Sequence, residues 1–131
     1  MSGNQAISST IKRGEIWLVN LDPTVGAEIR KIRPAVVISS DAIGVLPIKL
    51  VAPLTEWKEY LARNIWHIKI APDSLNGLTK ISAVDVLQLR GVDKLRFVRR
   101  VGSIKPEVMQ SILIAIAAVT EMAPITGKGV M

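Results

Sequence analysis

Cysteine is absent from this 131-residue chain and histidine occurs once, at His67. Without thiols there is no disulfide framework, no thiolate nucleophile and no zinc site of the cysteine type. With a single imidazole, a histidine-rich metal cluster or a Ser-His-Asp triad would need residues pooled between subunits. Neither G-x-G-x-x-G nor G-x-x-x-x-G-K-[ST] occurs, so the common nucleotide-cofactor signatures are missing as well. No metal and no cofactor is therefore expected. Long apolar runs are also lacking. The longest, Ile112 to Val119, has eight residues, against roughly 20 for a bilayer crossing. The opening MSGNQAISST carries neither the basic nor the apolar region of an export signal. The expectation is a cytoplasmic protein with no membrane contact.

What is present fits one small domain. Hydrophobic types make up 49% of the residues, enough for a real core. The expected limits are residues 12–122, between flexible segments at 1–11 and 123–131. Seventeen Lys and Arg against eleven Asp and Glu give a net charge of +6, which favours polyanionic partners. Between Arg90 and Lys105 lie six cations (Arg90, Lys94, Arg96, Arg99, Arg100, Lys105) against Asp93 alone. A solvated face is the plain alternative for such a run. Arg30, Lys31 and Arg33 form a smaller cluster.

Short β-type runs dominate the first hundred residues, rich in Val and Ile. The expected strands are Glu15–Asn20, Ala35–Ser40, Ile48–Ala52, Ile65–Ile70, Ala83–Leu89 and Phe97–Val101. Asp22-Pro23-Thr24-Val25-Gly26 marks a turn opening a longer loop, and Asn76-Gly77 a second turn able to use positive φ. Strands at this spacing indicate a small curved sheet or barrel rather than βαβ units. After Lys105-Pro106-Glu107, a helix start, the period changes. Apolar residues cover most of that helix's circumference, so it should be buried on two sides, by the sheet and by a partner subunit. Pro124 and Gly127 are expected to end the order.

Arg13 to Ser39 is the informative stretch. A strand leads into a loop of about a dozen residues bearing both signs of charge, and the next strand begins at Arg33-Pro34. Loops of that length in a compact barrel tend to be functional. Pro34 fixes its own φ and biases Arg33 toward extended geometry, holding the guanidinium at the rim. A fork of donors there suits phosphate oxygens, with a salt bridge to Glu28 or Asp22 as the alternative.

The run R-G-E-I-W…L-D-P-T-V-G-A-E…R-P-A-V-V-I-S resembles the MazF/PemK toxin family. The resemblance continues through Val51-Ala-Pro-Leu-Thr55, Asn76-Gly-Leu-Thr-Lys80 and Leu87-Gln88-Leu89-Arg90 to the last helix, covering roughly residues 12–121. It implies an α+β, mainly β fold: a small SH3-like barrel of the CcdB/PemK type with a C-terminal helix packed on it. It also implies a homodimeric toxin of a toxin–antitoxin pair that cuts single-stranded mRNA at a short sequence without metal. The expected products carry a 2′,3′-cyclic phosphate and a 5′-hydroxyl. A cognate antitoxin would be the protein partner, with DNA binding in its company.

Such chemistry suits a chain without Cys and with one His, because the RNA supplies its own 2′-OH nucleophile. The protein must align the reacting atoms, stabilise charge on the phosphorane and move two protons. Carried over position by position, the family's catalytic arginine falls on Arg33 and its catalytic threonine on Thr55. A helix N-cap is the alternative role for Thr55, given the Glu56-Trp57-Lys58-Glu59 that follows. Arg33 acts by electrostatic stabilisation rather than as a base, since guanidinium stays protonated. Glu28, at the family's Gly-x-Glu, is the candidate general base, while His67 matches no family position. Arg30, Lys31 and Gln88 are the candidate RNA contacts, and Trp57 or Trp66 could stack a base. The loop departs from the family: Ile29 stands where Gln is common, and Arg30-Lys31-Ile32 replaces a more glycine-rich stretch. Two other readings stay open, a CcdB-type gyrase-poisoning toxin and a non-catalytic nucleic-acid-binding barrel.

Overall fold

The computed structural model describes residues 11–43 and 46–122. Their strands are β1 (Glu15–Asn20), β2 (Ile32–Val37), β3 (Ile48–Glu56), β4 (His67–Ile70), β5 (Ser82–Asp85), β6 (Arg90–Asp93) and β7 (Phe97–Ser103). One α-helix follows, α1 (Pro106–Val119), and short 3-10 turns fill several connections. No helix among the described residues is long and apolar enough to cross a membrane.

Pairing is antiparallel throughout, and five strands run in the order β7-β1-β2-β3-β6. Their outermost members are consecutive in sequence, joined by the 3-10 turn Lys94–Arg96. From Asp93 to Phe97 the chain reaches at most about 14 Å. Five strands laid flat would separate those edges by about 19 Å. The sheet therefore curls on itself into the SH3-like barrel.

Strand β3 is shared between two sheets. Its first half, Ile48 to Val51, pairs with β6; its last residues, Leu54 to Glu56, pair with β5, which in turn pairs with β4. Pro53 sits in the gap between those two ladders, where its missing N–H deprives neither strand of a bond. Pro34 likewise precedes the β2–β3 ladder, which starts at Ala35↔Pro53.

Alternation along the strands builds two cores. Trp17, Val19, Ala35, Val37, Val51, Val92 and Phe97 fill the barrel, with the Trp17 and Phe97 rings edge to face at 5.7 Å. Ile16, Val36, Ala52, Leu54, Ile70 and Val84 face the other way, against Met109, Ile112 and Ala115 of α1. Central strands buried on both faces read as continuous apolar runs. Ile11, 3% exposed, belongs to the barrel core. The segments 1–10 and 123–131 lie outside the described residues.

Helix α1 has Pro106 in its first turn and Glu107 beside it, where the dipole favours an acid. It ends before Pro124, by a Schellman closure: Met122 N–H donates to Ala117 O and Glu121 N–H to Ala118 O, with Glu121 at φ 60°. Leu113 and Ile114 remain 36% and 67% exposed, the outer apolar face the sequence leads one to expect.

Five of the six expected strands differ in their limits, β4 beginning only at His67 and β7 running on to Ser103. β2 begins earlier and β3 runs on to Glu56, because each proline falls where no ladder bond is lost. The expected strand Ala83–Leu89 stops at Asp85, whose side chain accepts from Leu87 N–H and turns the chain into the 3-10 segment Val86–Gln88. β6 was not expected as a strand. Its sequence, RGVD, buries only Val92.

Candidate active site

Register brings the two candidate catalytic residues together. Val37↔Val51, Val36↔Ala52 and Ala35↔Pro53, continued outward, set Arg33 across from Thr55 where the strands part. Both line a groove of about 150 Å³ with Pro34, Leu54, Glu56, Leu78, Thr79, Lys80 and Ser82. Thr55 lies inside β3, paired with Ala83, and is half-buried. It caps no helix: the next 3-10 turn, Glu59–Arg63, has Lys58 at its cap position.

Arg33 is exposed, and its Nε donates to the Arg30 carbonyl at 3.3 Å. Among the described residues it forms no ion pair, so neither Glu28 nor Asp22 neutralises it. Glu56, which sequence reasoning passed over, is the carboxylate of this groove. It lies between Lys58 at 3.7 Å and Lys80 at 3.8 Å. Among the lining residues Arg33 and Lys80 stand against Glu56 alone, which leaves the groove net positive. No spacing motif flagged Glu56; the signal was its position directly after the candidate threonine on the same strand.

The far wall is shaped by Asn76, 1% exposed. Its side chain accepts from Asp73 N–H and Leu78 N–H and donates to Ala71 O. Gly77 follows at φ 67°, the positive φ anticipated for that turn. A Cβ there would run into the Val101 carbonyl oxygen. Asp73 is held below the usual carboxylate pKa by the backbone N–H groups of Leu75 and Asn76, with Lys105 contributing.

The loop between β1 and β2 is densely tied. Leu21 N–H donates to Lys31 O at 2.9 Å, and Lys31 N–H to Asp22 Oδ1 at 3.1 Å. Lys31 takes φ 69°, a conformation that glycine would adopt freely. Two arginines from the basic segment grip the loop's start. Arg90 donates to Leu21 O at 3.2 Å, and Arg96 to the carbonyls of Asn20 and Asp22. Arg100 meets Glu15 at 3.0 Å and Lys105 meets Asp73 at 3.7 Å. Four of the six cations from Arg90 to Lys105 are thus engaged within the fold, and that run is mostly structural.

Glu28 is not brought to Arg33's groove. Its carboxylate accepts from Val25 N–H at 2.8 Å, and it lines a separate cavity of about 410 Å³ with Ala27, Leu87, Gln88, Leu89 and Arg90. Gln88 is occupied by the loop as well: Oε1 accepts from Ile29 N–H at 3.1 Å and Nε2 donates to Ala27 O at 3.3 Å. Arg30 and Lys31 are exposed on the loop. His67 stands apart from the groove, its Nε2 3.3 Å from Asp85 in a pair of side chains 9% and 12% exposed. Asn64 Nδ2 lies 3.1 Å from its Nδ1. Trp66 packs on the helix-side core, and Trp57 lies under Lys69, 5.1 Å from its ring centroid.

A curled five-stranded sheet with a helix on its flank and a cationic groove at the mouth of β2 and β3 defines a small barrel of the SH3-like class. Residues 12–120 match the family described as PemK-like, MazF-like toxin of type II toxin-antitoxin system, and the chain belongs to that family. Endoribonuclease toxin ChpB of Escherichia coli (strain K12) is 29% identical over 116 residues, 86% of this chain and 97% of that one. The fold matches the crystal structure of MazF from Deinococcus radiodurans with a TM-score of 0.72 at 21% identity, covering 86% and 97% of the two chains. A mycobacterial endoribonuclease in complex with its cognate antitoxin matches with a TM-score of 0.70 at 16% identity, covering 88% and 100%.

Proposed function

We propose that this protein is the toxin of a type II toxin–antitoxin pair and cuts single-stranded mRNA at a specific short sequence. Its working form is a cytoplasmic homodimer. The observation that carries this reading is the convergence of Arg33, Thr55 and Glu56 on one positive groove in a member of this family. Glu56 takes the proton of the ribose 2′-OH, and the 2′-oxygen forms a bond to phosphorus. Negative charge on the non-bridging oxygens is met by the Arg33 guanidinium and the Thr55 hydroxyl, donors fixed before the reaction begins. The bond to the 5′-oxygen breaks, and that oxygen takes a proton from solvent. A 2′,3′-cyclic phosphate and a 5′-hydroxyl result. Glu56 is preferred to Glu28 as base because Glu28 caps a turn in the loop.

Arg30 and Lys31 neutralise phosphates along the incoming strand, which makes affinity fall with salt. The cognate antitoxin, with an acidic or amphipathic tail, covers the same positive groove. Expression without it should arrest growth.

The test is a panel of long single-stranded RNAs incubated with the full chain in EDTA, with product ends analysed. Cyclic-phosphate ends are expected, and Arg33→Ala or Thr55→Ala should each slow cleavage by about 10²–10³ with folding retained. Glu56→Gln should slow it while Glu28→Gln leaves the chemical step within about threefold. Intact RNA across the panel would favour the gyrase-poisoning or purely binding readings. A requirement for metal would overturn the mechanism.

A further inference from the structure

We infer that Gln88 is a positioning residue for Arg33, acting through the β1–β2 loop rather than by reading a base. This rests on the ribonuclease reading of the groove. Both heteroatoms of the Gln88 amide are engaged with loop backbone 59 and 61 residues away: Oε1 with Ile29 N–H, Nε2 with Ala27 O. Those two bonds bracket Glu28 and fix the loop one residue before Arg30. The Arg30 carbonyl is the group that accepts from Arg33 Nε. Holding residues 27 and 29 therefore sets where that carbonyl points, and with it the plane of the guanidinium.

The arm that carries Gln88 is itself braced. It ends the 3-10 turn Val86–Gln88, whose start is capped by Asp85 accepting from Leu87 N–H at 3.0 Å. Asp85 is buried and its other oxygen is held by His67 at 3.3 Å. A chain of contacts thus runs from a buried pair on β4 and β5, through the turn, across to the loop and onto an exposed guanidinium that has no carboxylate partner among the described residues. Arg33 has no other described bond to orient it. A planar fork aligned with phosphate oxygens gains from such fixing, because less rotamer freedom remains to be lost on binding.

The experiment compares the full chain with Gln88→Met and Gln88→Ala, both at a half-buried site where folding should survive, as checked by thermal melting. Amide hydrogen exchange is followed at residues 25–31, and cleavage kinetics are measured on an RNA that the wild type cuts. Exchange in the loop should speed up roughly tenfold. The kcat should fall about 10- to 100-fold with KM within about threefold, at unchanged cut sites. Unchanged loop exchange, or an unchanged kcat with shifted cut sites, would overturn the inference and return Gln88 to base reading. Absence of cleavage by the wild type would overturn the ribonuclease reading and this role with it; cleavage indifferent to Gln88 overturns the inference alone.

Discussion

Lys31 offers a perturbation whose two effects have opposite signs. Its φ of 69° lies in the left-handed region, held there because its N–H donates to Asp22 and its carbonyl accepts from Leu21 N–H. For an ordinary L-residue that conformation costs about 1–2 kcal/mol. Glycine escapes the cost but loses about 0.5–1 kcal/mol more chain entropy on folding. Lys31→Gly should therefore stabilise the fold by about 0.5–1 kcal/mol, a rise of a few degrees in Tm. The same change removes one cation from the loop. If Lys31 meets a phosphate, affinity for single-stranded RNA falls, and the slope of log affinity against log salt shrinks by about 0.7. Lys31→Asn separates the two effects, since Asn tolerates positive φ without carrying charge. Thermal melts and salt-dependent binding of a fluorescent RNA make the comparison. A Lys31→Gly protein less stable than the wild type would refute the strain. A salt slope identical in all three would remove Lys31 from the RNA interface.

Gly77→Ala should destabilise the fold by about 2–5 kcal/mol, from the left-handed backbone and the collision with the Val101 carbonyl; chemical denaturation measures it. Asp73 has its pKa lowered by the Leu75 and Asn76 N–H groups. Its contribution is therefore complete above the ordinary carboxylate range and lost as pH falls through the lowered value. Asp73→Asn should accordingly flatten the acid side of the stability profile, and an unchanged acid limb would contradict the assignment. Light scattering should give twice 14.2 kDa at micromolar concentration, and Ile114→Glu on the exposed apolar face of α1 should shift that mass toward the monomer.

Much of the barrel was legible in the residues because alternation and turn chemistry act locally. Glu15–Asn20 came out with its observed limits, and Asn76-Gly77 announced its positive φ. Prolines blurred the next strands. Pro34 and Pro53 sit inside β2 and β3, a placement explained only by where neighbouring ladders begin and end. Arg90–Asp93 is too short and too polar to register as a strand until β3 supplies its partner. In the site, the pair Arg33 and Thr55 was named from the resemblance, and their meeting in one groove follows from the β2–β3 register. Glu28 and Gln88 show the opposite case. Each was named for its side-chain chemistry, whereas the hydrogen bonds that tie each to loop backbone, one of them spanning 61 residues, have no signature in the sequence. The same applies to Arg90 and Arg96, which the sequence shows only as part of a basic run and whose donors hold the loop.

One modified substrate tests the central claim directly. An RNA that the protein cuts is resynthesised with a single 2′-deoxyribose on the nucleotide 5′ to the scissile phosphate. Attack by the neighbouring 2′-oxygen requires that this strand stay whole while the all-ribose control is cleaved. Scission of the deoxy-substituted strand at the same phosphate would mean that water or a protein group attacks instead, and the mechanism assigned to the groove would be wrong.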